Sequence, residues 1–273
     1  MIDWRALCPE ARGELESLFD PRFLDHRPRD PVSVMELRAS SNVSEVRAVE
    51  IGSNSGEFLQ GLSRRFPDAR VLGIETDGTQ HRLALDLVVR KALRNVDLLR
   101  CDARFAVPTL LRPESLDEVH VHFPDPWWKS RHHDRRLLEP LFLRVLARRL
   151  RVGGRLYVKS DVFDDLMRLR AAAEASLAFE PLPPELWPDE GSWTLTRRER
   201  KCMRVALPFG RGYYRRRASF DVSLPVVRED RALFEPAEEV DAAQALRGRP
   251  LADRIDQLRS AAALARRATG SSG

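Results

Sequence analysis

The sequence predicts a doubly wound α/β sheet, on three observations. Residues 46–62 (VRAVEIGSNSGEFLQGL) run from an apolar strand through a glycine-bearing turn into a helix carrying Phe58, Leu59 and Leu62. Further short apolar runs end in acids: RVLGIETD at Glu75 and Asp77, NVDLLRCDA at Asp102, and GGRLYVKSD at Asp161. A fourth run, DEVHVHF, alternates as a strand does and stops at Pro124, Asp125 and Pro126, because each proline lacks a donor and fixes its own φ. Ligands of open α/β sheets bind at the carboxyl ends of strands, where all of these acids fall.

In chain order, Gly52 and Gly56 allow a ligand to approach the backbone closely, and the helix after them offers unpaired amides at its N-terminus. The acids closing the second strand suit the paired hydroxyls of a ribose. Asp at a strand end also caps turns and helices, so any one of these acids is ambiguous. Their order, a glycine turn followed by successive strand-end acids, carries the argument. The last strand is expected at residues 218–224 (ASFDVSL), after a long basic stretch.

Residues 123–133 (FPDPWWKSRHH) crowd an acid, two tryptophans and several cations into one turn. Trp127, Trp128, Lys129 and Arg131 are side chains suited to a flat, anionic partner. The structural alternative is a capped loop with a tryptophan anchoring the core.

Taken in order and spacing, EIGSNSG, GIE, CDA, FPDPWWKSRHHDRR, KSD and the TRRE of residues 196–199 resemble the bacterial tRNA (guanine-N7-)-methyltransferases. The resemblance covers roughly residues 45–222, and FPDPW followed by K-x-R-H is specific to that family. It implies a class I S-adenosylmethionine-dependent methyltransferase fold with an antiparallel last strand. It also implies methyl transfer from S-adenosylmethionine to N7 of a guanine in the tRNA variable loop. On the family pattern Glu50, Glu75, Asp102 and Asp125 contact the cofactor with the glycines of the first turn, Gly52 and Gly56, and Asp125 is the active-site residue. Lys129, Asp161, Thr196 and Glu199 contact the tRNA. Two departures stand out. Asn54 replaces a third glycine, a change Asn tolerates better than most residues because it enters left-handed conformations. The family's T-x-F-E is here T-R-R-E, and residues 201–217 read as a longer, more basic insertion.

A chain of 273 residues, 43% hydrophobic, can bury one substantial core, so one main domain is expected at residues 41–224. Residues 1–40 read as an N-terminal arm, and residues 225–273 as a helical extension ending in a disordered tail. A net charge of +5 is too small to indicate nucleic acid by itself. Two arginine clusters do more: Arg131 to Arg151 after the tryptophan motif, and Arg197 to Arg217. On one cleft they would track phosphates; otherwise they are solvated faces. Lysine is rare, and two of the four, Lys129 and Lys159, fall inside the motifs, where a compact ammonium is required rather than a planar fork.

Cys8, Cys101 and Cys202 form no C-x-x-C pair and no apolar run is long enough for a signal or a membrane span, so a reducing, cytoplasmic setting is expected. His120 and His122 share one strand face, and His132 and His133 are adjacent in a polar turn with no carboxylate partner arranged for a closed metal site, so protonatable RNA contacts or surface positions are expected of these histidines rather than metal binding. The expected partner is tRNA, with no membrane and no obligate protein partner, the chain being a monomer or a homodimer. Two other readings stay open: a same-fold methyltransferase acting on a small molecule or protein, and an RNA-binding relative whose altered turn no longer holds cofactor.

Overall fold

The computed structural model describes residues 46–126 and 136–220. The N-terminal arm, the C-terminal extension, Lys129 and the two tryptophans beside it lie outside the described residues. Seven strands form one sheet: β1 (Val46–Ile51), β2 (Arg70–Glu75), β3 (Val96–Arg100), β4 (Leu116–His122), β5 (Leu150–Ser160), β6 (Phe179–Pro181) and β7 (Gly210–Arg216). Their spatial order is β3-β2-β1-β4-β5-β7-β6. The pairs from β3 through β5 are parallel, whereas β7 is antiparallel to both β5 and β6. This is the class I methyltransferase arrangement with its antiparallel last strand.

Helices α1 (Glu57–Arg65), α2 (Gly78–Arg90), α3 (Ala103–Leu110), α4 (Pro140–Arg149) and α5 (Phe163–Ser176) follow β1 to β5 in turn, and α6 (Arg197–Arg204) lies between β6 and β7. Two apolar layers result, as the parallel strands bury both faces. Val49, Ile51, Val119, Val121, Leu156 and Val158 pack on one face with α3, α4 and α5. Ala48, Val71 and Tyr157 pack on the other with Phe58, Leu59 and Leu62 of α1 and with Trp193. Each buried leucine of these layers contributes about 1.5–3 kcal/mol.

Asp77 and Asp102 act as helix N-caps: Asp77 accepts the amides of Thr79 and Gln80, and Asp102 accepts that of Arg104. The ambiguity of strand-end acids is therefore real, since Asp77 and Asp102 both have a structural task.

The end of the chain departs from expectation. The last strand is Gly210–Arg216, ahead of the predicted segment. Residues 218–220 carry no strand, and 221–224 fall outside the described residues. The basic stretch 201–217 is thus no insertion but helix α6 followed by β7. Its arginines conceal the strand because the carboxylates that pair with three of them are remote in sequence. Arg211 pairs with Glu190, Arg215 with Glu180 and Arg216 with Glu114. Arg216 also donates to the Leu150 carbonyl at 2.7 Å while its stem is buried.

Candidate active site

Turns at the carboxyl ends of β1, β4 and β5 build the site. In the first, Gly52, Asn54 and Gly56 take φ values of 74°, 49° and 82°. Asn54 therefore adopts the left-handed conformation a third glycine would supply. Its amide donates to Glu75 Oε2 at 2.8 Å, and its Oδ1 accepts from the Ser55 amide at 3.0 Å. The amides of Gly52 and Ser53 both donate to the Ile74 carbonyl, at 2.8 and 3.1 Å, so the turn is tied to β2. A Cβ on Gly52 would meet nothing within 4 Å, whereas one on Gly56 would lie 3.2 Å from Ala84 Cβ. Gly52 thus borders open space, and Gly56 lets α1 and α2 close on one another. No side chain caps α1, so its first-turn amides are not taken up by a cap.

Two acids converge on this turn. Glu75 Oε1 accepts the amides of Thr76 and Asp77, each at 2.8 Å, while Oε2 holds Asn54. Glu50 is 2% exposed, and its Oε2 has no hydrogen-bond partner among the described residues. Burial, then the charges of Glu57, Glu75 and Glu199, push the Glu50 carboxyl well above the usual carboxylate range. Asp102 stands apart, beyond β3, paired with the Arg104 guanidinium at 2.7 Å.

At the end of β4 the chain turns sharply at Phe123, a non-glycine residue at φ 52°. Its amide donates to the Lys159 carbonyl at 2.7 Å, and its ring meets Phe209 edge-on at 5.6 Å. This bend leaves Asp125 exposed between its two prolines just past the carboxyl end of β4, the strand that neighbours β1 in the sheet. Asp125 also borders a groove lined by Ser160, Asp165 and Leu169.

The third turn centres on Lys159, 1% exposed. Its Nζ lies 2.6 Å from Glu199 Oε1 and 3.2 Å from Glu190 Oε2, and 5.2 Å above the Trp193 ring. Glu199 completes a capping box. It accepts the Thr196 amide at 2.8 Å, and its own amide donates to Thr196 Oγ1 at 3.1 Å. Asp161 accepts from Arg198 Nε at 3.1 Å. Asp161, Thr196 and Glu199 are therefore brought together, but Thr196 and Glu199 are turned inward at 9% and 1% exposure.

Trp193 welds this unit to the first turn. Its ring contacts Phe58 at 5.7 Å and carries the Arg65 guanidinium at 4.8 Å. Sequence reasoning assigned no role to Glu190 or Trp193, and it placed His120 and His122 at RNA contacts or the surface, whereas both are buried. The shared strand face of His120 and His122 and the scarcity of lysine at Lys159 were the available signals.

The arginine clusters are not two open basic surfaces. Arg144 and Arg149 are each 2% exposed and donate to the carbonyls of Ser176 and Pro108. Arg197, Lys201 and Arg204 of α6 are exposed. Among the described residues no group of three His, Cys, Asp or Glu side chains is placed to hold a metal ion, and no helix is long and apolar enough to cross a membrane.

Residues 44–208 match the family model described as "Putative methyltransferase". The tRNA (guanine-N(7)-)-methyltransferase of Myxococcus xanthus is 34% identical over 145 residues, which are 50% of this chain and 70% of that protein. That of Neisseria meningitidis is 32% identical over 54% of this chain and 60% of its own length. That of Thermus thermophilus is 43% identical over 41% of this chain and 36% of its own. This chain thus spans less than two thirds of the latter two. With the sheet order and the first-turn geometry, these matches establish that the chain belongs to the tRNA (guanine-N(7)-)-methyltransferase family, whose methyl donor is S-adenosylmethionine.

Proposed function

We propose that the protein transfers a methyl group from S-adenosylmethionine to N7 of a guanine in the variable loop of tRNA, in the cytoplasm. The observation that carries this reading is the adjacency of the left-handed Gly52-Asn54-Gly56 turn and the exposed Asp125 at the ends of neighbouring strands. The residues suit the cofactor. Gly52 borders open space, and the buried Glu50 Oε2 and Ser53 Oγ lack partners among the described residues, so a ligand with donors at those atoms would satisfy them.

The cofactor supplies a methyl group on a positively charged sulfur. Glu50 and Glu75 would hold it against the first turn, with Gly52 and Gly56 admitting it to the backbone, and Asp102 would line its far end. Guanine N7 presents an in-plane lone pair and no proton, so no general base is required. Positive charge appears on the guanine ring as the methyl group moves. A fixed carboxylate beside the base lowers the energy of that state, which is the task we assign to Asp125. Alignment of the reacting atoms supplies the rest of the rate.

Lys129 and Asp161 would bind the tRNA directly. Thr196 and Glu199 would serve it by shaping the start of α6, whose Arg197, Lys201 and Arg204 face solvent. The altered-turn reading loses its support because Asn54 takes the conformation required of it.

The test is incubation with unmodified tRNA and methyl-labelled S-adenosylmethionine, followed by nucleoside analysis and borohydride with aniline cleavage. Label in N7-methylguanosine at a variable-loop position supports the reading. Label in another nucleoside would retain the cofactor and overturn the substrate assignment.

A further inference from the structure

His122 is the residue of this site for which neither the motif nor the fold provides a task. It lies on β4 three residues before Asp125, and its side chain is 1% exposed. Its Nδ1 is 3.6 Å from Glu50 Oε1, beyond hydrogen-bond distance. Both of its ring nitrogens and Glu50 Oε2 lack a hydrogen-bond partner among the described residues. Its neighbour His120 has no such vacancy at Nε2, which is 3.0 Å from Glu118 Oε2.

Two buried, complementary polar groups that face each other without bonding are costly, at about 1–3 kcal/mol for each unsatisfied group. The cost persists where a ligand relieves it. The ring of His122 stands edge-on to Phe58 of α1 at a centroid distance of 4.3 Å, so it is held by packing rather than by hydrogen bonds. A contraction of a few tenths of an ångström would bring Nδ1 onto Oε1.

The charges around the pair come from every element packed on it. Glu57 of α1, Glu75 of β2 and Glu199 of α6 oppose a charge on Glu50. Burial, then His120 on the same strand and Lys159 of β5, oppose a charge on His122. Both groups are thus held toward their uncharged forms, Glu50 toward the carboxylic acid and His122 toward the imidazole that carries one N–H. Three nearby carboxylates make the spot attractive to a cation, and Glu50 cannot complement that cation while it keeps its proton.

We propose that His122 is a positioning residue that acts through Glu50: its Nδ1–H donates to Glu50 Oε1 and holds the ionised carboxylate toward a bound cationic ligand, the Glu50 proton passing to solvent as the cation enters. The ligand is the sulfonium-bearing cofactor, so the inference rests on the function proposed above. No bond to His122 forms or breaks, and the ring stays neutral throughout.

The test is calorimetric binding of S-adenosylmethionine between pH 5.5 and 8.5, in two buffers of different ionisation enthalpy, for the wild type, His122→Phe and His122→Asn. The proposal expects proton release on binding and an affinity that rises with pH. It expects His122→Phe to lose about 10-fold in affinity at pH 7, the worth of a hydrogen bond to a charged group, and to regain it at higher pH. His122→Asn, which keeps a donor, recovers most of the loss. A loss that is the same at every pH would reduce His122 to packing and overturn the proposal, as would wild-type profiles in both variants. A wild type that binds no S-adenosylmethionine at any pH would overturn the cofactor reading itself.

Discussion

The backbone amide of Asn54 donates to the carboxylate of Glu75 at 2.8 Å, joining the turn after β1 to the acid that ends β2. One residue in a left-handed conformation and one carboxylate thus fix the floor of the proposed cofactor site. Glu75 orders two segments at once, since its other oxygen takes the amides of Thr76 and Asp77. Asn54→Gly should preserve this geometry and leave S-adenosylmethionine affinity within about 2-fold, whereas Asn54→Val should cost about 1–3 kcal/mol through strain at positive φ. Isothermal calorimetry and thermal melts of the two variants check this.

Lys159 is the most deeply buried cation of the site, and it holds two carboxylates. Lys159→Met should destabilise the protein by about 3–5 kcal/mol, because the buried Glu199 would lose its ion-pair partner, whereas Glu190 would keep Arg211. The double variant Lys159→Met with Glu199→Gln should recover part of that loss. Urea unfolding of the three proteins at a common slope is the measurement, and strict additivity would argue against direct coupling.

Gly61 sets the distance between α1 and the segment leading to α6. A Cβ there would lie 2.7 Å from Thr194 Oγ1 and 3.2 Å from the Thr194 amide nitrogen. Gly61→Ala should therefore force the two apart and cost about 1–3 kcal/mol despite the better helix propensity of alanine. Pairing it with Thr194→Ser leaves the backbone clash and should rescue little.

Burial keeps both histidines of β4 below their ordinary value of 6.5, His122 far below it. The unfolded chain takes up protons as pH falls through 6.5 while the folded protein does not. Stability is therefore full above that value and declines below it, by up to about 1.4 kcal/mol per pH unit for each histidine. Glu50 acts in the opposite sense. Its carboxyl is raised, so the folded protein keeps a proton that the unfolded chain releases above 4.5, and stability falls as pH climbs from there. Glu50→Gln should accordingly raise the urea midpoint at pH 8, lose that advantage as pH falls toward 4.5, and abolish cofactor binding. A variant no more stable than wild type at pH 8 would argue against a neutral Glu50.

Much of the site was legible because its chemistry is local in sequence. The turn at residues 52–56, the acid Glu75 and the Pro-Asp-Pro stop each announce themselves within a few residues, and the sheet supplies only the order of their strands, whereas Asp102 stands apart as a helix cap. The inward side of the site was not legible. Glu199 looks like a surface acid among arginines, and only the register of β5 brings Lys159 beneath it. Likewise β7 reads as a basic loop, because the partners of Arg211, Arg215 and Arg216 lie at least 21 residues away in sequence. Arg144 and Arg149 were misjudged for the same reason: their carbonyl partners come from other helices and turns.

If Asp125 stabilises charge on the base rather than binding substrate, Asp125→Asn should lower single-turnover methyl transfer by about 100-fold with S-adenosylmethionine and tRNA affinities unchanged. Full turnover in that variant would remove the electrostatic assignment and leave alignment alone.

The central claim is that N7 of a tRNA guanine accepts the methyl group. The most direct measurement compares labelled methyl transfer to an unmodified tRNA transcript with transfer to the same transcript carrying 7-deazaguanosine in the variable loop. Transfer to the first and none to the second is the predicted result; equal labelling of both would contradict it.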